Sequence, residues 1–82
     1  MNQKFSQTPP TEPGLYWVWQ PPGTWPDAGV VYAVEVEMQD DVLCAWVPRM
    51  DSADPVVPRD DTDTWIDAWW LGPINRPVAP YA

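Results

Sequence analysis

The chain has 82 residues, one cysteine, no histidine and a formal net charge of −8. This length suits one domain with a thin core, and a single cysteine excludes an intramolecular disulfide. Without histidine, Ser-His and Cys-His nucleophiles and His-ligated metal sites are also excluded. Twelve acidic residues against four basic ones disfavour binding to nucleic-acid phosphates and favour a basic protein surface as partner.

The N-terminal sequence MNQKFSQTPP lacks the apolar stretch of a secretory signal. No apolar run in the chain approaches the roughly 20 residues that span a bilayer. We therefore expect a soluble, cytoplasmic protein whose Cys44 stays reduced.

Twelve prolines separate windows that are rich in β-branched and aromatic residues. The first window, LYWVWQ, lies between two Pro-Gly turn signals and predicts a strand. Alternation puts two sets of side chains on opposite faces: Leu15, Trp17 and Trp19 on one, and Tyr16, Val18 and Gln20 on the other.

The next two windows, VVYAVEVEM and VLCAWV, flank QDD and predict a β-hairpin. A three-residue loop, 39–41, pairs Val36 with Cys44 and Val34 with Trp46, whereas a two-residue loop sets Trp46 opposite Glu35. We predict the three-residue loop, because it makes one face apolar and leaves Glu35 and Glu37 in water. The side chains expected to point inward on the first strand are Val30, Tyr32, Val34, Val36 and Met38. Cys44 is expected on the same core side, as a small hydrophobe.

Residues 48–64, PRMDSADPVVPRDDTDT, predict a long loop with a possible short edge strand near Val56. The acidic run at residues 60–63 invites a calcium site. It lacks the ligand spacing, glycine and closing glutamate of an EF-hand loop, so we interpret it as solvated charge.

The last window, TWIDAWWL at residues 64–71, predicts another strand. Its face with Asp67 should be the wetter one, because burying an unpaired carboxylate is costly. Trp65 and Trp69 would then be aromatic anchors beside an acid, as in interface hot spots. The alternative is that long loops cover both indoles, or that Asp67 forms an ion pair with an arginine: Arg49, Arg59 or Arg76.

These windows predict an all-β fold, a small antiparallel sheet of four to five strands curled into an open barrel. We expect one domain over residues 1–82, with residues 1–12 and 75–82 as extended tails.

Two sequence frames, PGLYWVW near the start and WWLGPINRP near the end, resemble small phage and prophage-encoded proteins with a PG-x-YW opening and a W-x-GPI close. That resemblance implies a compact β domain of viral origin without an assigned activity, so it transfers no functional residues. The Trp69-Trp70 pair is also similar to the double tryptophan of SH3 domains, which implies an open SH3-like barrel of four to five strands and no function.

The sequence thus predicts a non-enzymatic phage accessory protein that binds and inhibits a host protein. Its acidic loops would mimic nucleic acid and compete for the basic groove of a defence complex, in the manner of an anti-CRISPR protein. We expect no cofactor and no metal. The predicted partner-binding residues are Asp40, Asp41, Asp51, Asp54, Asp60, Asp61, Asp63, Trp65, Asp67 and Trp69. The alternatives are a module that binds a peptide or carbohydrate on Trp65, Trp69 or Trp25, and a small virion structural protein.

Overall fold

The computed structural model describes residues 4–24, 28–48 and 50–74. Over these residues the chain forms five strands: β1 (Gly14–Trp19), β2 (Tyr32–Gln39), β3 (Val42–Trp46), β4 (Ala53–Pro55) and β5 (Trp69–Ile74). All neighbouring strands are antiparallel, in the order β4-β3-β2-β1-β5, and the sheet is open. The all-β prediction is confirmed. Among the described residues there is no helix that could cross a membrane.

Several sequence-based expectations fall outside the described residues. They concern Trp25, Arg49, Arg76 and the C-terminal tail from residue 75. The expected edge strand near Val56 is present as β4, which pairs with β3 immediately before Val56.

The β2–β3 hairpin closes on two residues, so the predicted three-residue loop is wrong. Val36 pairs with Ala45 rather than with Cys44, and the loop is reduced to Asp40 and Asp41. Their φ angles are +50° and +67°. Two central residues with positive φ are typical of a type I′ turn, whose twist matches that of the flanking strands. Turn geometry therefore sets the register here.

The shifted register changes which hairpin side chains meet the core. Val34 and Val36 are buried as expected, and Tyr32 packs against the core. Val30 precedes β2 and Met38 lies beside the turn, beyond the end of the core, and both are exposed, contrary to expectation. Cys44 is buried, but it pairs with Glu37 and Pro55 on the opposite face of the sheet and is not part of the core cluster.

The core covers one face of the sheet, here called the inner face. Its central contacts are aromatic. The centroid of the Trp70 ring lies 6.3 Å from that of the Tyr16 ring, edge to face, and 5.4 Å from that of the Trp65 ring. Loop residues between β3 and β5 fold over this face and complete the core. The buried members are Tyr16, Val18, Val34, Val36, Ala45, Val47, Val56, Trp65, Ala68 and Trp70.

The predicted strand over residues 64–71 begins five residues late, at Trp69. Residues 64–67 form turns instead, in which the Ile66 amide donates to the Asp63 carbonyl and the Ala68 amide to the Trp65 carbonyl. Asp67 adopts a φ of +55°. Because the segment turns, its side chains do not alternate between two faces, and Trp65 points into the core.

Gln20 holds this turn from the end of β1. Its amide nitrogen donates to the carbonyl oxygens of Thr64 at 2.7 Å and Ile66 at 2.9 Å, and the side chain is fully buried. A buried amide that satisfies two carbonyls fixes the position of the segment that carries them.

The outer edge of β5 is partly covered. The backbones of Ser6 and Trp70 exchange two hydrogen bonds, of 2.9 and 2.8 Å, so the described part of the N-terminal segment is attached to the sheet. A bulge follows on β5 at Gly72, where a Cβ atom would lie 2.9 Å from the Tyr16 ring. Only glycine fits there without displacing the ring.

Candidate functional site

The predicted acidic residues lie at both ends of the sheet. Asp40 and Asp41 are exposed at the β2–β3 turn. Asp67 is exposed just before β5, which starts beside Trp19 at the opposite end of the sheet. Asp51 is also exposed, in the β3–β4 connection. These carboxylates therefore form separate charged regions.

Residues 59–63 form a small network in which two carboxylates accept hydrogen bonds from neighbouring residues of the same loop. Arg59 Nε lies 3.2 Å from Asp63 Oδ2. This side-chain hydrogen bond lowers the pKa of Asp63 below its usual range. Asp60 accepts from the hydroxyl and the amide of Thr62 at 2.6 and 2.8 Å, and the hydroxyl contact is the main cause that lowers the pKa of Asp60. Neighbouring Asp61 is exposed.

Asp54 differs from the exposed acidic residues. It is half-buried on β4 and accepts a hydrogen bond from the Thr64 hydroxyl, which joins the edge strand to the turn before β5. Together, Asp54, Asp60 and Asp63 have structural partners. Five other carboxylates of the predicted set are exposed in the loops: Asp40, Asp41, Asp51, Asp61 and Asp67.

Trp65 is not at the surface, and the expectation of an exposed anchor at this position is wrong. Only 1% of its surface is exposed, within the core cluster. Its indole Nε1 has no hydrogen-bond partner among the described residues. Trp65 is buried because the turn that carries it packs on the inner face of the sheet, rather than because other loops cover a strand.

Trp69 is half-buried on the face of the sheet opposite the core, here called the outer face, and it has three tryptophan companions there. Trp69 of β5 pairs with Trp19 of β1, and Trp17 lies two residues before Trp19 on β1. Trp46 is on the outer face of β3. We call Trp17, Trp19, Trp46 and Trp69 the tryptophan face. Trp17 and Trp46 each expose 38% of their surface.

The sequence predicts only part of the tryptophan face. Alternation in LYWVWQ places Trp17 and Trp19 together. Their burial, however, depends on which side of β1 receives the loops, and this is a property of the whole fold. The predicted three-residue hairpin loop puts Trp46 on the core side, and the two-residue turn puts it on the outer face instead.

Two open grooves border the sheet. One, of about 460 Å³, lies between the N-terminal segment and β5 and is lined by Thr8, Pro10, Tyr16 and Leu71. The other, of about 600 Å³, lies near the hairpin turn, where Met38, Val42 and Val57 expose apolar surface beside Arg59.

Neither groove is lined by Cys44. Burial raises the pKa of the Cys44 thiol, and nearby carboxylates, Asp54 first, raise it further. The thiol is therefore protonated at neutral pH and a poor nucleophile. In the described part of the chain, no three acidic or cysteine side chains are placed to hold a metal ion.

Comparisons with protein-family models, curated proteins and solved structures find no match to this chain.

Proposed function

We propose that this protein is a non-enzymatic phage accessory protein that binds and inhibits a host protein with a basic surface, in a complex that handles nucleic acid. The observation that carries the proposal is the distribution of charge. The described loops expose carboxylates that include Asp40, Asp41, Asp51, Asp61 and Asp67. Arg59, one of two described basic residues, is paired with Asp63. Such a surface attracts basic partners and repels nucleic acid. The viral assignment comes from the frames PGLYWVW and WWLGPINRP, which resemble those of small phage and prophage-encoded proteins.

The proposal is tested by capturing partners from a bacterial host lysate and measuring each purified complex over a range of salt. Affinity should fall steeply between about 0.05 M and about 0.5 M salt, because salt screens charges that meet at an exposed interface. A nucleic acid added in excess should displace the protein from the same partner.

A triple variant tests the role of the solvent-facing charge. Changing Asp40, Asp41 and Asp61 together to asparagine should weaken binding and flatten its salt dependence, while the fold is retained. A complex whose affinity ignores both salt and these substitutions contradicts the proposal.

A peptide- or carbohydrate-binding module is the second candidate, because the tryptophan face exposes two indoles that the core does not use. In that case ligand should change tryptophan fluorescence, and the asparagine substitutions should have little effect.

A further inference from the structure

The groove of about 600 Å³ at the hairpin end of the sheet, here called the hairpin groove, has an apolar floor. Its lining includes Met38, Val42 and Val57, which expose 51%, 45% and 61% of their surface. Exposed apolar side chains that line one groove are typical of an interaction site on a soluble protein. Methionine adds adaptability, because its unbranched side chain packs against groups of different shape. The floor therefore suits large apolar side chains of another molecule.

The rim of the hairpin groove carries unpaired negative charge. Asp41 lines the groove, and Asp40 precedes it in the two-residue turn. Both are exposed, and neither forms a hydrogen bond or an ion pair with another described residue. Their positive φ angles belong to a tight turn between two paired strands, so the backbone holds both carboxylates at this end of the sheet.

Arg59 is the one basic side chain among the described residues that line the groove, and its charge is already paired. Its Nε lies 3.2 Å from Asp63 Oδ2, and its Nη2 lies 3.4 Å from Asp63 Oδ1. Because Asp63 compensates the guanidinium, the charge that remains at the groove is that of the turn carboxylates. An acidic ligand would meet Asp41 without a free cation, whereas a ligand with lysine or arginine would pair with it.

A second copy of the chain is a poor occupant of this groove. Each copy has a formal net charge of −8, so a second copy would bring further carboxylates to the same rim. A segment that is both apolar and basic satisfies the floor and the rim together.

We propose that the hairpin groove binds a segment of the partner protein, with large apolar side chains on Met38, Val42 and Val57 and a neighbouring lysine or arginine on Asp41. The inference rests on the proposed function, to which it adds the docking surface and the chemistry of the segment. In this arrangement the acidic loops attract the basic protein, and the hairpin groove provides the apolar contact.

The experiment uses the full chain and short synthetic peptides, so its result does not depend on whether a host protein is captured. A blocked peptide of alternating leucine and lysine is titrated while NMR follows the methyl signals of Met38, Val42 and Val57. These signals should shift, and the indole signal of Trp17, which lies outside the groove, should stay. A leucine-glutamate peptide should not bind. A glycine-lysine peptide should bind at least about tenfold more weakly, because it lacks the apolar contact.

Charge variants test the rim. The double substitution Asp40→Asn, Asp41→Asn removes two charges at the groove, and asparagine tolerates the positive φ angles. Affinity for the leucine-lysine peptide should fall about fivefold at about 0.05 M salt and by less at about 0.5 M. The matched control is Asp51→Asn, Asp67→Asn, which removes two exposed charges at the opposite end of the sheet. The control should change affinity by no more than about twofold at either salt concentration.

Apolar variants test the floor. Val57→Ser, in the loop after β4, and Met38→Ser, near the end of β2, each keep the charges and change an exposed position. Each should weaken the leucine-lysine peptide about fivefold at both salt concentrations, because salt does not screen an apolar contact. Circular dichroism and thermal melting establish that every variant is folded.

Three results would overturn the inference. The first is that the leucine-lysine peptide leaves the three methyl signals unchanged. The second is that the leucine-glutamate peptide shifts them equally, which would mean that charge does not select the occupant. The third is self-association that Val57→Ser abolishes, since a second copy would then occupy the groove. Peptide binding as expected, without a salt-sensitive host complex, would instead reject the proposed function alone.

Discussion

Replacing Gln20 with methionine keeps the length of the side chain and its burial but removes the amide hydrogens that it donates. In the native protein these hydrogens reach the carbonyl oxygens of Thr64 at 2.7 Å and Ile66 at 2.9 Å. The variant leaves both acceptors facing an apolar side chain. It therefore tests whether this amide holds the turn that places Trp65 in the core.

The expected loss follows from two hydrogen bonds. Each contributes about 0.5 to 1.5 kcal/mol net, so Gln20→Met should lower the free energy of unfolding by roughly 2 kcal/mol. A domain of this size is stable by roughly 4 to 12 kcal/mol, so the loss is a substantial fraction. It corresponds to a drop in melting temperature of about 8 to 16 °C.

Urea unfolding followed by tryptophan fluorescence measures the difference, with Gln7→Met as a control on the exposed N-terminal segment. The control should stay within about 0.5 kcal/mol of the native chain. If Gln20→Met also stays within that range, the amide does not hold the turn and our account of this region is wrong.

Gln20→Glu adds a test with a defined sign. At neutral pH the carboxylate would face two carbonyl oxygens in a buried site, so the variant should be less stable than Gln20→Met. Burial raises the pKa of the new carboxyl in the folded state, and stability should return as the pH falls below that raised pKa. A variant whose stability relative to the native chain does not depend on pH would contradict this.

Three further predictions concern the loops and the thiol. The double substitution Asp40→Asn, Asp41→Gly should raise stability to urea by about 1 kcal/mol, because Asn-Gly is the preferred pair for a type I′ turn; a decrease would reject that turn. Asp63→Asn should lower the melting temperature at neutral pH, since it removes the ion pair with Arg59. Because the pKa of Asp63 is lowered in the folded protein, this carboxylate contributes fully to stability above its ordinary pKa of about 3.9 and loses that contribution as the pH falls through the lower folded pKa. The melting temperatures of the native and variant proteins should therefore converge in acid. A difference that stays constant with pH would contradict the pairing. Cys44 should react with a thiol reagent more slowly in the native state than in urea, by a factor on the order of one hundred, because it is buried and its pKa is raised; equal rates would show that the thiol is accessible.

The strands were largely predictable because local rules determine them. Prolines bound the windows, and β-branched and aromatic residues fill them. In β1 the alternation is exact: Tyr16 and Val18 are buried while Trp17 between them is exposed. Such alternation needs no information from the rest of the chain.

The criterion that one face of the hairpin should be apolar did not predict its register. The turn residues are Asp40 and Asp41, without the glycine that usually signals a two-residue type I′ turn. The sequence therefore gave no sign of their positive φ angles. A shift of one residue then moved Trp46 from the predicted core to the outer face.

Trp65 shows the same limit at the candidate site. Its window alternates well enough to suggest a strand, but the contacts that turn it inward come from Gln20, which lies 44 residues earlier than Thr64. The acidic loop residues were easier to place, because solvation of carboxylates is a local property. Their partners, such as Thr64 for Asp54, again required the fold.

The central claim is that the sheet buries one aromatic face in its core and leaves the other, the tryptophan face, partly exposed. Its most direct test is NMR of the indole groups in the presence of a soluble paramagnetic agent. Trp17 and Trp46 should be broadened strongly, while Trp65 should stay sharp and exchange its indole hydrogen slowly. Protection of Trp17 and Trp46 equal to that of Trp65, in the monomeric protein, would contradict the claim.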